Sequence, residues 1–405
     1  MRAVRVGEAQ ELDVYGYKSI MHVNTRVLCL LVQDYADKAF DGNALAERVT
    51  LLAQRDGVYD QDLVRMLSRA DAALSELSGV GRLLPNPHLL ITPWMTREAI
   101  LSSRIEGTRT TLSELLIDEA GGARVAGRAA ADIKEVRNYV DALEHGVERL
   151  KQLPLSLRLV RELHARLMKG VRGDKATPGE FRRSQNWIGP EGSTPANAAY
   201  VSPPVSEMHA CLDAWEKFVH RRDEVPDLIQ CALAHEQFEA IHPFLDGNGR
   251  VGRLLITLFL IERGRLSQPL LYLSDYIDEH RKDYYELLQR VRTHGDWNAW
   301  IRYFLTGVER IARKAVQQSS KLIDIRERYR DALKDKARAA ALLDDLMMNP
   351  FITVLRAQKS LRVTNPTARK TVELLIERGI IAPLGDRRWG KLYVSKEILA
   401  AIEQK

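Results

Sequence analysis

Residues 242–253 read His-Pro-Phe-Leu-Asp-Gly-Asn-Gly-Arg-Val-Gly-Arg, and the sequence on either side of this stretch predicts a helix. Upstream, apolar residues recur at helical spacing over residues 227–241, and downstream Leu254, Leu255 and Leu258 continue a helix that begins near Gly249. A glycine-rich loop therefore leads directly into a helix N-terminus. Free backbone N–H groups and the helix dipole make such an N-terminus an anion-binding site.

The side chains of this loop add the groups that phosphate chemistry needs. Arg250 and Arg253 are cations suited to bidentate phosphate contacts, and Asn248 adds a side-chain donor. Asp246 offers the hard oxygen ligand that Mg²⁺ prefers. His242 is the nearby group whose ordinary pKa suits a general base at neutral pH. We interpret the loop as a site of phosphoryl or nucleotidyl transfer.

Three other interpretations of the loop are weaker. Gly247, Gly249 and Gly252 satisfy the G-x-G-x-x-G pattern, but a dinucleotide-binding fold requires a strand before it, and here a helix precedes. A plain glycine-rich connector with a buried histidine would leave the acid, the amide and both arginines of the loop unexplained.

The third alternative interpretation of the loop is the metal site of a metallohydrolase. His235, Glu239 and His242 have the i, i+4, i+7 spacing of one helical face, but the pattern is not His-Glu-x-x-His. Pro243 also indicates that His242 already lies in the loop.

Composition limits the class of protein. Of the 405 residues, 45% are hydrophobic and 28% charged, so the chain can bury cores and is not intrinsically disordered. The three cysteines lie far apart, which excludes a disulfide scaffold and a thiolate zinc site and suits a reducing compartment. The apolar runs are too short for a signal peptide or a membrane span, so we expect a soluble, cytoplasmic protein.

At this point the sequence resembles a known family. Residues 242–253 match the Fic-domain signature, His-Pro-Phe-x-Asp-Gly-Asn-Gly-Arg-x-x-Arg, at every fixed position. The segment Thr177-Pro178-Gly179-Glu180-Phe181-Arg182 also resembles the region that precedes the signature in this family. The resemblance implies an all-α, mainly helical Fic fold with a small β-hairpin flap, followed by a C-terminal winged helix-turn-helix.

The resemblance also implies an activity and a set of roles. Most Fic proteins of this type are protein adenylyltransferases, which move AMP from ATP to a protein hydroxyl and release pyrophosphate. His242 would be the base, Asp246 would hold Mg²⁺, and Arg250 would stabilise charge in the transition state. The other nucleotide-binding residues would be Gly247, Asn248, Gly249, Arg253, Tyr276 and Tyr285. The related Doc kinases carry Lys where this chain has Gly249, so we favour AMP transfer over phosphorylation.

An upstream helix resembles the family's inhibitory element. We expect a helix over about residues 93–107, with Thr92 as N-cap, Pro93 in its first turn and Gly107 at its end. Ser102 and Glu106 are four residues apart, hence on one face of that helix. Together with Gly107 they match the inhibitory motif Ser/Thr-x-x-x-Glu-Gly/Asn, which implies that Glu106 pairs with Arg253 and excludes productive ATP.

The flap and the base pocket follow from the same resemblance. Residues 185–201 would form a hairpin that aligns the main chain of the target protein, with docking residues Trp187, Ile188, Tyr200 and Val201. The alternative is an ordinary surface hairpin. Relatives often carry Asn at the position that Arg292 occupies, which leaves side-chain recognition of adenine open.

The C-terminal unit is basic. Residues 351–405 hold 11 Lys and Arg against 5 Asp and Glu, a net +6 that equals the charge of the whole chain. A helix from Asn365 to Arg378 followed by a hairpin resembles a winged helix-turn-helix. Its candidate DNA-binding residues are Arg369, Lys370, Arg387, Arg388 and Lys391. Glu373 and Glu377 dilute this face, so a protein-interaction or dimerisation role stays open.

We therefore divide the chain into an N-terminal helical region (1–120), a Fic core (121–320) and a C-terminal domain (335–405). Two classes of function remain: a Mg²⁺- and ATP-dependent adenylyltransferase inhibited in cis, and a DNA-binding transcriptional regulator with a nucleotide-sensing core. Self-modification, the reverse removal of AMP and a homodimer are all compatible with the sequence, which gives no sign of membrane binding.

Overall fold

The computed structural model describes residues 60–83, 88–122, 127–171, 177–190, 192–222, 225–385 and 390–403. This part of the chain is predominantly helical, as predicted. Its helices up to the signature loop are α1 (Gln61–Leu83), α2 (His88–Ile105), α3 (Leu112–Glu119), α4 (Arg128–Arg149), α5 (Leu157–Leu167), α6 (Val205–His220) and α7 (Asp227–Ile241). Those that follow are α8 (Asn248–Glu262), α9 (Ser274–Glu279), α10 (Arg281–His294), α11 (Trp297–Ala332), α12 (Ala337–Met348), α13 (Val354–Leu361), α14 (Asn365–Glu377) and α15 (Lys396–Glu403).

The centre of the molecule is the helix pair α7 and α8. Almost every residue of α7 is buried, and α8 is buried from Asn248 to Leu260. Helices that are enclosed on all sides in this way form the middle of a large core. Helices α4, α5, α6 and α11 surround the pair. The loop that joins α7 to α8 is therefore held by rigid elements on each side.

Helix α2 begins earlier than the sequence predicts. It starts at His88, so Pro93 lies inside the helix rather than in its first turn. An interior proline removes one helical hydrogen bond, but Ile91, Trp94 and Met95 are buried in the core and keep this part helical. The predicted end holds, because Gly107 takes the left-handed conformation (φ 98°).

The predicted flap is a short antiparallel hairpin. Strands β1 (Trp187–Ile188) and β2 (Tyr200–Val201) pair with Trp187 opposite Val201.

The C-terminal unit contains a strand that the sequence did not reveal. Strand β3 (Phe351–Thr353) joins β4 (Ala382–Leu384) and β5 (Leu392–Val394) in an antiparallel sheet of order β3-β5-β4. Helix α14 begins at Asn365, with Thr364 as its N-cap, and β4 begins at Ala382. Arg387 and Arg388 lie outside the described residues.

This unit packs directly on the N-terminal region. The Asn349 side-chain amide donates to the Leu116 carbonyl at 2.9 Å, and the Thr353 hydroxyl donates to the Ala120 carbonyl at 3.1 Å, both in buried surroundings. Arg97 of α2 donates to the Ile402 carbonyl at 3.3 Å. Helices α2 and α3 thus lie between the α7–α8 core and the C-terminal unit.

In the described part of the chain, no helix combines the length and the apolar character needed to cross a bilayer.

Candidate active site

His242 ends α7 in a left-handed backbone conformation, with φ 49° and ψ 59°. Its Nδ1 lies 3.3 Å from the Glu239 carbonyl oxygen, so an Nδ1–H donates there and Nε2 is left as the unprotonated nitrogen. Burial, together with the positive charge of Arg292, lowers the pKa of His242 to about 4. The imidazole is therefore neutral near pH 7, the form that accepts a proton.

The N-terminus of α8 provides unpaired backbone donors. The first helical hydrogen bond runs from the Val251 N–H to the Gly247 carbonyl at 3.0 Å. The N–H groups of Asn248, Gly249 and Arg250 thus lie beyond the intrahelical ladder. We call these three N–H groups the anion site, since they combine with the positive end of the helix dipole.

The side chain of Asn248 bonds within the loop. Its side chain is 1% exposed, and both of its polar atoms bond to Phe244: Oδ1 accepts from the N–H and Nδ2 donates to the carbonyl, each at 2.8 Å. One N–H of the buried amide is therefore used within the loop, and the side chain of Asn248 stabilises the loop. The backbone N–H of Asn248 belongs to the anion site.

Arg253 is held by the helix that carries the predicted inhibitory motif. Its Nε donates to the Ser102 hydroxyl at 2.9 Å, its Nη2 to the Ser102 carbonyl at 2.9 Å, and Nη2 also lies 2.7 Å from Glu106 Oε1. The Arg253 side chain is 2% exposed and that of Glu106 34%. Glu106 is the first residue after α2 rather than a residue of its last turn.

The Glu106 carboxylate also covers the anion site. A Cβ atom at Gly249 would overlap Glu106 Oε1, which places that oxygen directly over the start of α8. Burial opposes ionisation of Glu106, but the neighbouring charges, first of all Arg253, prevail and lower its pKa. An anionic oxygen of the protein therefore occupies the place where a helix N-terminus attracts anions.

Arg250 has a buried partner that the sequence did not reveal. Its Nη1 lies 3.1 Å from Glu135 Oε2, and the two side chains are 4% and 2% exposed. Its Nη2 lies 3.6 Å from Asp246 Oδ1. The only signal for Glu135 in the sequence is an acid among the apolar residues of α4, which local periodicity cannot pair with a residue 115 positions away.

Asp246 is well placed for a ligand that comes from solvent. Its side chain is 49% exposed, and Oδ1 accepts the Gly247 N–H at 2.6 Å. Its backbone carbonyl accepts from Nε2 of the buried His164 at 2.9 Å. His164 Nδ1 in turn accepts the Gly179 N–H at 2.8 Å, and the His164 ring stacks on Phe244 at 3.7 Å. His164 thus holds the loop from its buried side, while the Asp246 carboxylate faces solvent.

The predicted base pocket is only partly accessible. Tyr276 is 7% exposed and packs against Tyr303 at 4.9 Å, so it belongs to the core rather than to a nucleotide pocket. Tyr285 is 43% exposed and close enough to Glu106 for that charge to act on its hydroxyl. Tyr285 is therefore the aromatic candidate for stacking on a base.

The flap residues divide into two groups. Trp187 is 39% exposed at the surface, and Ile188 and Val201 are half-buried. Tyr200 turns inward: its hydroxyl donates to the Ala240 carbonyl at 2.7 Å, and its ring lies 4.0 Å from the Arg292 guanidinium. Tyr200 and Arg292 thus attach the flap to the core rather than face a nucleotide or a target.

Family models match the two halves of this arrangement. Residues 64–148 match the Fic/DOC family N-terminal model, and residues 154–260, which include the whole signature loop, match the Fic/DOC family model. This chain carries a Fic domain. The N-terminal match includes α2 with Ser102 and Glu106, and the Fic domain supplies His242, the anion site and Arg253.

Relatives of known name cover part of the chain. It is 32% identical over 156 residues to the protein adenylyltransferase Fic of Culex quinquefasciatus, over 38% of this chain and 28% of that protein. It is 26% identical over 209 residues to the protein of the same name from Drosophila grimshawi, over 51% of this chain and 40% of that protein. The chain thus spans less than half the length of these relatives.

Solved structures show the same fold. A Fic family protein from Desulfovibrio desulfuricans superposes with a TM-score of 0.53 at 20% identity, over 82% of this chain and 96% of that one. A Fic-domain signalling protein from Bacteroides thetaiotaomicron gives a TM-score of 0.50 at 17% identity, over 62% of this chain and 97% of that one. The mainly helical Fic fold is therefore confirmed.

Proposed function

We propose that this chain is a Fic-type protein adenylyltransferase that moves AMP from Mg²⁺-ATP to a Ser, Thr or Tyr hydroxyl of a protein. The observation that carries the proposal is the His242 imidazole beside a helix N-terminus that the Arg253-paired Glu106 carboxylate covers. The names of the relatives support the same reaction. Incubation with labelled ATP, followed by mass spectrometry of the products, identifies both the transferred group and the acceptor.

In this reaction His242 Nε2 takes the proton of the target hydroxyl as its oxygen attacks the α-phosphorus. The bond between the α-phosphorus and the bridging oxygen breaks, and pyrophosphate leaves with that oxygen. The backbone donors of the anion site and the Arg253 guanidinium stabilise the phosphate charge. Arg250 contributes positive charge from the buried side of the loop, where Glu135 holds its guanidinium in place.

Asp246 fits the Mg²⁺ that such a reaction uses. It is a half-exposed carboxylate beside the anion site, and among the described residues no cluster of three potential metal ligands surrounds it. Mg²⁺ is commonly held by one or two carboxylates together with substrate phosphates and water. Asp246 would thus hold a metal that arrives with ATP, and the metal would neutralise charge on the phosphates.

Glu106 would act as an inhibitor in cis. Its carboxylate pairs with Arg253 and covers Gly249, so a phosphate group cannot bind there without displacing it. The Glu106 carboxylate and a phosphate cannot share this site. The two anions repel each other, and the phosphate would also have to break the ion pair between Glu106 and Arg253. ATP would bind productively only when Glu106 moves away.

The pH dependence tests the state of His242. Its pKa is lowered by burial, by Arg292 and by Arg182, whereas Glu106 and the Glu239 carbonyl oppose that shift. Because the base acts when neutral, we expect kcat/KM to stay flat from pH 8 to about pH 5 and to fall as the pH drops towards about 4. Initial rates at low ATP measure this profile. A histidine with the ordinary pKa of about 6.5 would instead lose about tenfold between pH 7.5 and 5.5.

A second candidate function is DNA binding by the C-terminal unit. Arg369 and Lys370 are exposed on α14, Lys391 is exposed beside β5, and the same unit contains a three-stranded sheet. These features support a winged helix-turn-helix with α14 as the recognition helix.

For the full chain, we then expect affinity for duplex DNA to fall steeply with salt. Replacing both Arg369 and Lys370 by alanine should weaken binding and reduce the salt slope by about two. Equal affinity of the variant and the wild type would exclude this face.

A further inference from the structure

Arg182 is a buried cation whose contacts serve the main chain alone. Its side chain is among the largest that are fully buried, at 1% exposure. Nε donates to the His242 carbonyl at 3.0 Å, Nη1 to the Ser184 carbonyl at 3.2 Å and Nη2 to the Pro203 carbonyl at 2.5 Å. Among the described residues, no carboxylate forms an ion pair with it. A buried charge without a counter-ion is costly, so the three carbonyls are its compensation.

One of these contacts fixes the backbone of the candidate base. A left-handed conformation at a residue other than glycine costs on the order of 1–3 kcal/mol and persists where its surroundings enforce it. The His242 carbonyl also ends a helix, where carbonyls lack intrahelical partners. Arg182 Nε and the Asn186 side-chain amide, at 3.2 Å, both donate to it. The direction of the imidazole therefore depends on these two donors.

The other two hydrogen bonds of the Arg182 guanidinium hold the two ends of the flap. Ser184 lies before β1 and Pro203 lies after β2, so the guanidinium bonds to the chain on both sides of the hairpin. The Arg182 N–H in addition donates to the Pro243 carbonyl at 2.9 Å. A single planar group thus joins His242 to both ends of the segment that would align a target.

We propose that Arg182 is a positioning residue that sets the His242 imidazole and the flap at a fixed spacing, so that the base meets a hydroxyl held by the flap. The inference rests on the proposed adenylyltransferase function. Arginine is required because its planar guanidinium donates in three directions at once. A lysine keeps the charge but cannot reproduce that geometry.

The experiment compares Arg182→Lys and Arg182→Met with their parent, the Glu106→Gly chain. We expect kcat to fall at least about tenfold in both variants, with KM for ATP within about threefold, because Arg182 does not touch the anion site. In Arg182→Met alone, the loss of rate on the acid side of the pH profile should begin at a higher pH. That variant removes a positive charge that lowers the pKa of His242. If Arg182 were needed only for stability, its replacement would reduce the folded fraction of the protein. The kcat and the pH profile of the folded molecules would then stay those of the parent.

The matched control is Arg183→Met, because Arg183 is the exposed neighbour and pairs with Glu180 at the surface. It should retain the kcat of the parent. If both Arg182 variants keep that kcat, the inference is wrong, and if Arg182→Met does not fold, Arg182→Lys decides.

NMR titration of His242 in Arg182→Lys and its parent gives a readout independent of turnover. A changed His242 signal supports the inference and an unchanged one overturns it. A parent without AMP transfer would contradict the proposed function separately.

Discussion

Replacing His242 by alanine in the Glu106→Gly chain should lower AMP transfer about 10²- to 10⁴-fold, the contribution typical of a general base. The variant loses the His242 imidazole, whereas the backbone donors of Asn248, Gly249 and Arg250 are untouched. We therefore expect kcat to carry the loss and the affinity for ATP to change little. Single-turnover rates with labelled ATP and equilibrium binding of a non-hydrolysable analogue measure the two quantities.

His220→Ala is a suitable control, because His220 is exposed at the end of α6, outside the site. It should leave the rate unchanged. If the His242→Ala chain modifies protein at a rate within a factor of about three of its parent, another group is the base.

Replacing Glu106 by glycine in the otherwise unchanged chain should raise AMP incorporation at least about tenfold. Such a factor corresponds to about 1.4 kcal/mol, a modest amount for removing a carboxylate from a site that must accept phosphates. The change also releases Arg253, which then keeps its Ser102 contacts and gains a free N–H for the substrate. Incorporation into the chain itself and into added proteins is followed by labelled ATP.

Glu106→Gln separates charge from volume. It keeps the shape over Gly249 but loses the ion pair with Arg253, so it should lie between the wild type and Glu106→Gly. Glu76→Gln removes an exposed charge on α1 and should have no effect. Equal incorporation by the wild type and Glu106→Gly would show that Glu106 does not inhibit.

Local sequence patterns were sufficient to predict the junction of α7 and α8. The predicted upstream helix, residues 227–241, agrees with α7 at both ends, and the downstream helix begins one residue before the predicted Gly249. Apolar spacing and glycine both act over a few residues, so they can be interpreted without the fold. Gly107 at the end of α2 was predictable for the same reason, whereas the flap hairpin was expected from the resemblance.

Pairings between distant residues were not predictable from local patterns, and the pairing of Glu106 with Arg253 was expected only from the resemblance. Glu135 with Arg250, and Arg182 with the His242 carbonyl, join positions 115 and 60 residues apart. Asn248 could equally have faced a ligand, and only the packed loop shows that Phe244 takes both of its polar atoms. Tyr276 and Tyr285 look alike in sequence, but packing buries one and exposes the other.

The contacts of Asn349 and Thr353 make the C-terminal unit a support for the segment that carries Glu106. A shortened chain without that unit would lose both hydrogen bonds to the Leu116 and Ala120 carbonyls, a net loss of about 0.5–1.5 kcal/mol for each bond. Helix α2 would also lose its packing against α12. The position of Glu106 therefore depends on the C-terminal unit as well as on Arg253, and the proposed inhibition by Glu106 should be weaker in a chain that lacks this unit.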